Sequence, residues 1–461
     1  MKLKVLVLFL LIVGIASFAA QAQATAEAAV DAFVKAEMER KKIPGLSVAV
    51  IKNGKPLVVK GYGLANIEHN VPVKPETIFQ SGSVGKQFTA FAIMLLVDEG
   101  KIGLDDKISK YLGEVPESWA NVTVRHLLTH TGGFTDYSRG FDFRKDYTED
   151  DLLKIIKETP LAFAPGEKWQ YSNFGYVTLG IIIRKVTGKF YGDFLAERVF
   201  KPLGMTTARV ISESDIVLNR AAGYVRRNGE VKNQEWVSPV LNTTADGALY
   251  FSVLDMIRWE EALAGRKLLS KAAYDHMWTP VKLNDGREQR YGFGWALRHV
   301  NGFKVIEHGG AWQGFKSFIA RYPDRGLTVI ALANSENANP ARLGNGIAEA
   351  VDPAVKPKPM KDPEPERTAG FRKVIEDILA GKPDEKRFSP RLYRAVSDPN
   401  DRLIAYLKTI GPILKFELLE RNDIGEAVLY KYAVEFESMN VIVEIGEDKK
   451  GIIGYLELQP E

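Results

Sequence analysis

Residues Phe79 to Gly100 read FQSGSVGKQFTAFAIMLLVDEG. Small residues around Ser81–Gly85 lead into an almost unbroken apolar run, Phe88–Val97, which Gly100 closes. This is the pattern of a turn feeding a buried helix. Ser83 is then expected on the first helical turn, where unpaired N–H groups and the positive dipole end suit an oxyanion formed at that serine. Lys86 follows three residues later. Residues three apart share a helix face, so its amine reaches the Ser83 hydroxyl, a nucleophile beside a base. A lone Ser-x-x-Lys also arises by chance, with the serine as a cap and the lysine as a solvated charge, so the rest of the chain has to decide.

Upstream, Ala29, Val30, Phe33, Val34 and Met38 recur at helical spacing within Ala26–Lys41. Leu46–Asn66 then holds two β-rich runs around Asn53-Gly54, a hairpin signal. Downstream, Val122–Leu128 begins a helix ending at Thr131-Gly132-Gly133, Tyr176–Thr187 reads as a second buried helix, and Phe190–Phe200 as an amphipathic one. Past residue 220, strand-like runs start at Tyr291, Lys316 and Leu327. The hairpin and these strands predict one antiparallel sheet beside a helical lobe, an α+β fold over residues 25–351. Residues 352–367, DPAVKPKPMKDPEPER, read as a Pro-rich linker. Beyond it, residues 368–461 predict a small α+β accessory domain: helices at Phe371–Leu379, Leu392–Val396 and Arg402–Ile410, then strands at Leu414–Glu420, Ala427–Glu437, Val441–Ile445 and Gly451–Leu458.

The chain has 461 residues, 45% hydrophobic and 26% charged, ordinary values for a globular protein of more than one domain. It begins MKLKVLVLFLLIVGIASFAAQAQA: two lysines, a short apolar run and A-x-A patterns ending at Ala22 and Ala24, the three parts of a secretory signal peptide over residues 1–24. Cleavage there leaves no stable membrane span and predicts a periplasmic or secreted protein. Without a cysteine there is neither a disulfide nor a lipid-bearing cysteine. Loss of Lys2 and Lys4 lowers the net charge from +4 to +2, and no basic block with interleaved aromatics argues for nucleic acid as a partner. Of six histidines, His126 and His130 stand four apart but the second opens a turn, and with no cysteine this argues against a metal site or other cofactor.

Two further segments complete a constellation with Ser83 and Lys86. In WQYSNFGY, Tyr171 and Asn173 lie two apart, so an extended or loop conformation turns both toward one cleft. In EHGGAWQGF, His308 precedes Gly309 and Gly310, which allow close backbone approach to a substrate. Taken singly, these are a half-buried tyrosine, a turn asparagine and a strand-end histidine. In order, Ser-x-x-Lys, Tyr-x-Asn and His-Gly-Gly resemble the three motifs of the serine β-lactamase and penicillin-binding-protein superfamily, closest to its class C-like branch. Supporting stretches are HLLTHTGG from His126, PGEKWQYSN from Pro165, PLGM from Pro202 and GYGLAN from Gly61.

The resemblance implies that Ser83 forms an acyl-enzyme, that Lys86 and Tyr171 share the proton transfers, and that Asn173 orients Lys86 and binds the substrate amide or ester. It also implies an oxyanion hole made by the N–H groups of Ser83 and Ala311, the residue after Gly310. Many relatives carry Lys-Thr-Gly where this chain has His308-Gly309-Gly310. A lysine is a permanent cation for a substrate carboxylate, whereas histidine is mostly neutral at pH 7. The expected substrates are therefore small esters or D-amino-acid peptides and amides, ahead of β-lactams or D-alanyl-D-alanine peptides. A binding class of function, an acylated sensor without turnover, shares the same motifs. The C-terminal domain weakly resembles the nuclear-transport-factor-like cone, with a plain β-meander as the alternative; it offers no catalytic constellation and leaves room for a cell-envelope partner.

Overall fold

The computed structural model describes residues 23–137, 141–398, 410–423 and 425–460. The expected leader lies outside the described residues except for 23 and 24, and the expected helix Arg402–Ile410 lies outside them except for Ile410.

A seven-stranded antiparallel sheet forms the frame. Its strands are β1 (Gly45–Lys52), β2 (Lys55–Asn66), β3 (Val71–Pro72), β4 (Ala296–Val300), β5 (Phe303–Trp312), β6 (Phe315–Tyr322) and β7 (Leu327–Ala333), in the order β4-β5-β6-β7-β1-β2-β3. Two-residue turns set the register. Asn53-Gly54 joins β1 to β2 and Asn301-Gly302 joins β4 to β5, all four residues at positive φ, which suits the right-handed twist of the flanking strands. The N-terminal hairpin and the distant C-terminal strands meet along β1 and β7, where Val48 faces Ala331 and Val50 faces Val329.

The sheet is buried on both faces, and alternation along β1 divides the core. Val48 and Val50 pack with Val30 and Val34 of helix α1 (residues 23–41) and with Leu343 and Ile347 of a C-terminal helix. Ala49 and Ile51 belong to the larger cluster shared with the helical lobe, around Phe88, Phe91 and Trp259. That cluster is centred on α2 (Lys86–Asp98), buried along Lys86–Leu96. Trp259, one of the buried indoles of that cluster, donates Nε1–H to Gln87 Oε1 at 3.0 Å. Helix α3 (Asn173–Thr187) is the second buried helix; it starts three residues before the expected Tyr176 because Ser172 caps it, accepting from the Gly175 N–H. In the run from Tyr291, the strand covers only Ala296–Val300, since Gly294, at φ +75°, turns the chain against Gln87 at the start of α2.

Helices α4 (Val253–Ala264) and α5 (Pro340–Val351) complete the layers around the sheet. Helix α6 (Pro365–Leu379) begins inside the stretch read as linker, with proline in its first turn, where a missing N–H costs nothing. It packs with α7 (Pro390–Val396) on strands β8 (Ile413–Asp423), β9 (Ala427–Phe436), β10 (Asn440–Asp448) and β11 (Ile453–Pro460). These four strands pair in sequence order as an antiparallel meander. Phe371, Ile375, Tyr432 and Val443 lie in its own hydrophobic core. Among the described residues, no helix is long and apolar enough to cross a membrane.

Candidate active site

Ser83 stands on a 3-10 turn, Gly82–Gly85, that runs straight into α2, rather than on the α-helix itself. Lys86 is the first residue of that helix, and its N–H closes the turn on Ser83 O. Gly82 has φ +48°, and a Cβ built there would lie 2.4 Å from the Ala311 nitrogen, so only glycine lets the turn reach β5. Ser81 anchors the turn from behind. Its Oγ donates to Gly247 O at 2.7 Å and accepts from the Leu249 N–H at 3.1 Å, and its carbonyl accepts from Ser317 Oγ.

The sheet supplies the opposite wall. Pairing of β4 with β5 ends at Ala296 and Glu307, so from His308 to Trp312 that strand has a free edge beside the Ser83 turn. A Cβ on Gly310 would lie 2.1 Å from Ser81 O and 3.0 Å from Ser83 N. The backbones carrying the Ser83 and Ala311 N–H groups therefore pass at contact distance.

Lys86 is fully buried, an expensive place for a cation without partners. Its Nζ lies 2.6 Å from Asn173 Oδ1, 2.5 Å from Asp246 O and 3.3 Å from Ser83 Oγ. The rings of Tyr171 and Tyr176 flank it, with centroids at 4.9 and 5.4 Å. Asn173 in turn donates Nδ2–H to Asp136 Oδ2 at 2.8 Å. Burial holds the Asp136 carboxyl above its ordinary range.

Tyr171 lies in the loop before the Ser172 cap and Asn173 is the first residue of α3, so the extended or loop conformation expected for the pair holds as far as Ser172 and ends at Asn173. They reach one cleft because the chain turns into the helix between them, with Asn173 on Lys86 Nζ and the Tyr171 ring beside it. The Tyr171 hydroxyl is buried with no hydrogen-bond partner among the described residues, although its ring is tightly packed. His130 stacks on it at 4.3 Å, and Trp169 and Tyr291 lie at 6.5 Å.

His308 is buried and neutral. A carbonyl can only accept, so the 2.7 Å contact with Gly309 O places the ring proton on Nδ1, and Nε2 accepts from the Tyr291 hydroxyl at 2.9 Å. Burial first, then the Lys86 charge, lowers its pKa to about 4. His130, in αL backbone at φ +59°, accepts the Ser172 N–H on Nδ1, and burial keeps it well below its ordinary value.

The structure thus gathers Ser83, Lys86, Tyr171, Asn173, His308, Gly310 and Ala311 at one cleft. Asp136, Asp246, His130 and Tyr291 belong to the same cleft, and the sequence reading assigned them no role. His130 lies in the HTGG stretch, but nothing in its spacing points toward Tyr171. Asp246 contributes a backbone carbonyl, which no side-chain motif reveals. Among the described residues, no cluster of metal-ligating side chains occurs.

An antiparallel sheet beside a helical lobe, with Ser-x-x-Lys at the head of a buried helix, defines a serine hydrolase of the β-lactamase and penicillin-binding-protein superfamily. The Beta-lactamase family profile matches residues 30–352, and the chain belongs to that family. It is similar to Penicillin-binding protein 4* of Bacillus subtilis (strain 168), 30% identical over 422 residues, covering 87% of this chain and 90% of the relative. A D-aminopeptidase of Gluconobacter oxydans (strain 621H) is 28% identical over 340 residues, covering 72% of this chain and 63% of the relative. Among solved structures, an octameric penicillin-binding protein homologue from Pyrococcus abyssi aligns with a TM-score of 0.64 at 27% identity, over 94% of this chain and 98% of that one.

Proposed function

We propose that the protein is an exported serine hydrolase, periplasmic or secreted, that cleaves small esters or D-amino-acid peptides and amides through an acyl-enzyme on Ser83. The observation that carries this reading is the position of Lys86 Nζ between Ser83 Oγ and two atoms that only accept, Asn173 Oδ1 and Asp246 O. Those two acceptors occupy two N–H groups. The remaining tetrahedral position faces Ser83, where an ammonium donates and a neutral amine offers its lone pair to the Ser83 proton.

In the forward step Ser83 Oγ bonds to the substrate carbonyl carbon and its proton passes to Lys86. The N–H groups of Ser83 and Ala311 hold the oxyanion. Tyr171, whose hydroxyl has no partner among the described residues, is the group left to protonate the departing alcohol or amine. Water then attacks the acyl carbon, with the same groups returning the protons. The neutral His308 offers a substrate carboxylate no charge, which supports ester and D-peptide substrates over β-lactams. The leader-like N-terminal segment supports export.

Hydrolysis of a short-chain p-nitrophenyl ester by the mature protein and by Ser83→Ala, beside a chromogenic cephalosporin, tests this reading. Ester turnover that disappears in the variant, with little cephalosporin cleavage, is expected. Equal rates in the two proteins would remove Ser83 as nucleophile, and a single burst without turnover would favour an acylated sensor.

A further inference from the structure

The C-terminal domain touches the catalytic domain beside the cleft. The end of β8 and the start of β9 bring Asn422 and Gly425 against two residues that flank the site in sequence. Arg290 donates Nη1–H to Asn422 Oδ1 at 2.6 Å, and Arg290 is the neighbour of Tyr291, the hydrogen-bond donor to His308. A Cβ built on Gly425 would lie 2.8 Å from Trp169 O and 3.2 Å from its ring carbon Cε3, so the glycine rests directly on Trp169. Trp169 is two residues from Tyr171. Its ring lies 6.0 Å from His130, 5.8 Å from Tyr291 and 6.5 Å from Tyr171.

Between the two domains is a cavity of about 210 Å³ lined by Trp169, Arg290, Tyr291, Leu297, Asn422 and Leu429. Trp169, Arg290 and Asn422 all line this solvent-open pocket, so the Arg290–Asn422 hydrogen bond and the Gly425 contact on Trp169 are the direct ties between the domains at its edge.

We infer that Asn422 and Gly425 are positioning residues for the cleft, holding Trp169 against the Tyr171 and His130 rings and holding Arg290 so that Tyr291 stays on His308. The accessory domain in this inference is a buttress of the site. It rests on the hydrolase reading for its kinetic consequence, but its structural content is independent of that reading. Displacements of about 1 Å at reacting groups are enough to cost up to about a hundredfold in rate.

The test uses the full-length mature chain labelled with 5-fluorotryptophan, the Trp169 resonance being assigned through Trp169→Phe, together with ester kinetics. Asn422→Ala and Arg290→Ala are each expected to shift that resonance and to lower kcat about five- to tenfold with KM changed less than about twofold. The double variant is expected to be no worse than the worse single one, as for two halves of one contact. Asn422→Asp, whose carboxylate accepts the same guanidinium N–H, is expected to restore both readouts. An unshifted Trp169 resonance in both single variants overturns the inference whether or not the protein hydrolyses esters, and so does failure of Asn422→Asp to restore it. A resonance that shifts and is restored, in a protein that turns over neither the ester nor a D-amino-acid amide, upholds the positioning of Trp169 and overturns the proposed substrate reading instead.

Discussion

Tyr291 donates its phenolic hydrogen to His308 Nε2 at 2.9 Å, while the opposite ring nitrogen of His308 is satisfied by Gly309 O at 2.7 Å. Burial, and after it the Lys86 charge, keeps the imidazole neutral against the opposing pull of the Gly309 carbonyl, and its folded pKa is about 4 against an ordinary 6.5. The unfolded chain takes up this proton near pH 6.5 and the folded protein only near pH 4, so the contribution to stability is complete above 6.5 and is lost as pH falls toward 4. At about 1.36 kcal/mol per unit the loss is about 3 kcal/mol. His130, lowered by burial, acts in the same direction. The melting temperature is expected to fall between pH 7 and pH 4, and less steeply in His308→Gln, whose amide oxygen can take the place of Nε2 as acceptor for Tyr291 without titrating. Identical slopes for the two proteins would show that His308 is not the group responsible.

Lys86 gives a second prediction. Lys86→Met is expected to lower kcat/KM by about a thousandfold or more, since the proton acceptor for Ser83 is gone. It also leaves Asn173 Oδ1 and Asp246 O facing an apolar chain, at about 1–3 kcal/mol for each unsatisfied acceptor. Asn173→Ala keeps the amine but breaks its link to Asp136, with a smaller expected loss of about ten- to a hundredfold in kcat. Steady-state ester kinetics and thermal melts of both variants check the order; Asn173→Ala as damaging as Lys86→Met would mean that orientation, not proton transfer, is the main task of Lys86.

What was legible in the sequence follows from range. The three-residue spacing of Ser83 and Lys86, the Asn53-Gly54 hairpin signal and the strand-like run from Leu327 are local, and the buried helix and the sheet follow from them. The helical start at Asn173 was missed because a serine cap is a weak signal beside the apolar run that follows. Tyr291, 17 residues from His308, and Asp246, 160 from Lys86, are joined to the site only by the tertiary fold. No periodicity could place Gly425 on Trp169, because that contact belongs to the docking of one domain on another.

The two glycines after His308 have different surroundings, which makes them separable. A Cβ at Gly309 meets only Phe318 and Pro340 carbons at 3.6 and 3.7 Å, ordinary contact distances. At Gly310 it falls 2.1 Å from Ser81 O and 2.3 Å from Ser317 Oγ, with backbone that cannot step aside. Gly309→Ala is expected to keep near-normal activity and stability. Gly310→Ala is expected to destabilise by about 1–3 kcal/mol and to lose most turnover, because the strand must move from Ser83. Kinetics and melts of the pair decide this, and equal tolerance would mean that β5 does not abut the Ser83 turn as described.

Tyr171 separates catalysis from stability most cleanly. Its hydroxyl is buried without a partner among the described residues, so the folded protein bears the desolvation of that group with no hydrogen bond from them in return. Tyr171→Phe removes only that oxygen and leaves the ring between His130 and Lys86. The melting temperature is therefore expected to stay level or rise. On the proposed role in protonating the leaving group, kcat is expected to fall about a hundredfold or more. The fall should shrink for esters whose leaving alcohol is acidic and departs without help. A comparison of p-nitrophenyl and alkyl esters of one acid in both proteins measures this: an equal loss on both would assign Tyr171 to activation of Ser83 rather than to the departing group, and a drop in stability would show that the hydroxyl has a structural partner in the folded state.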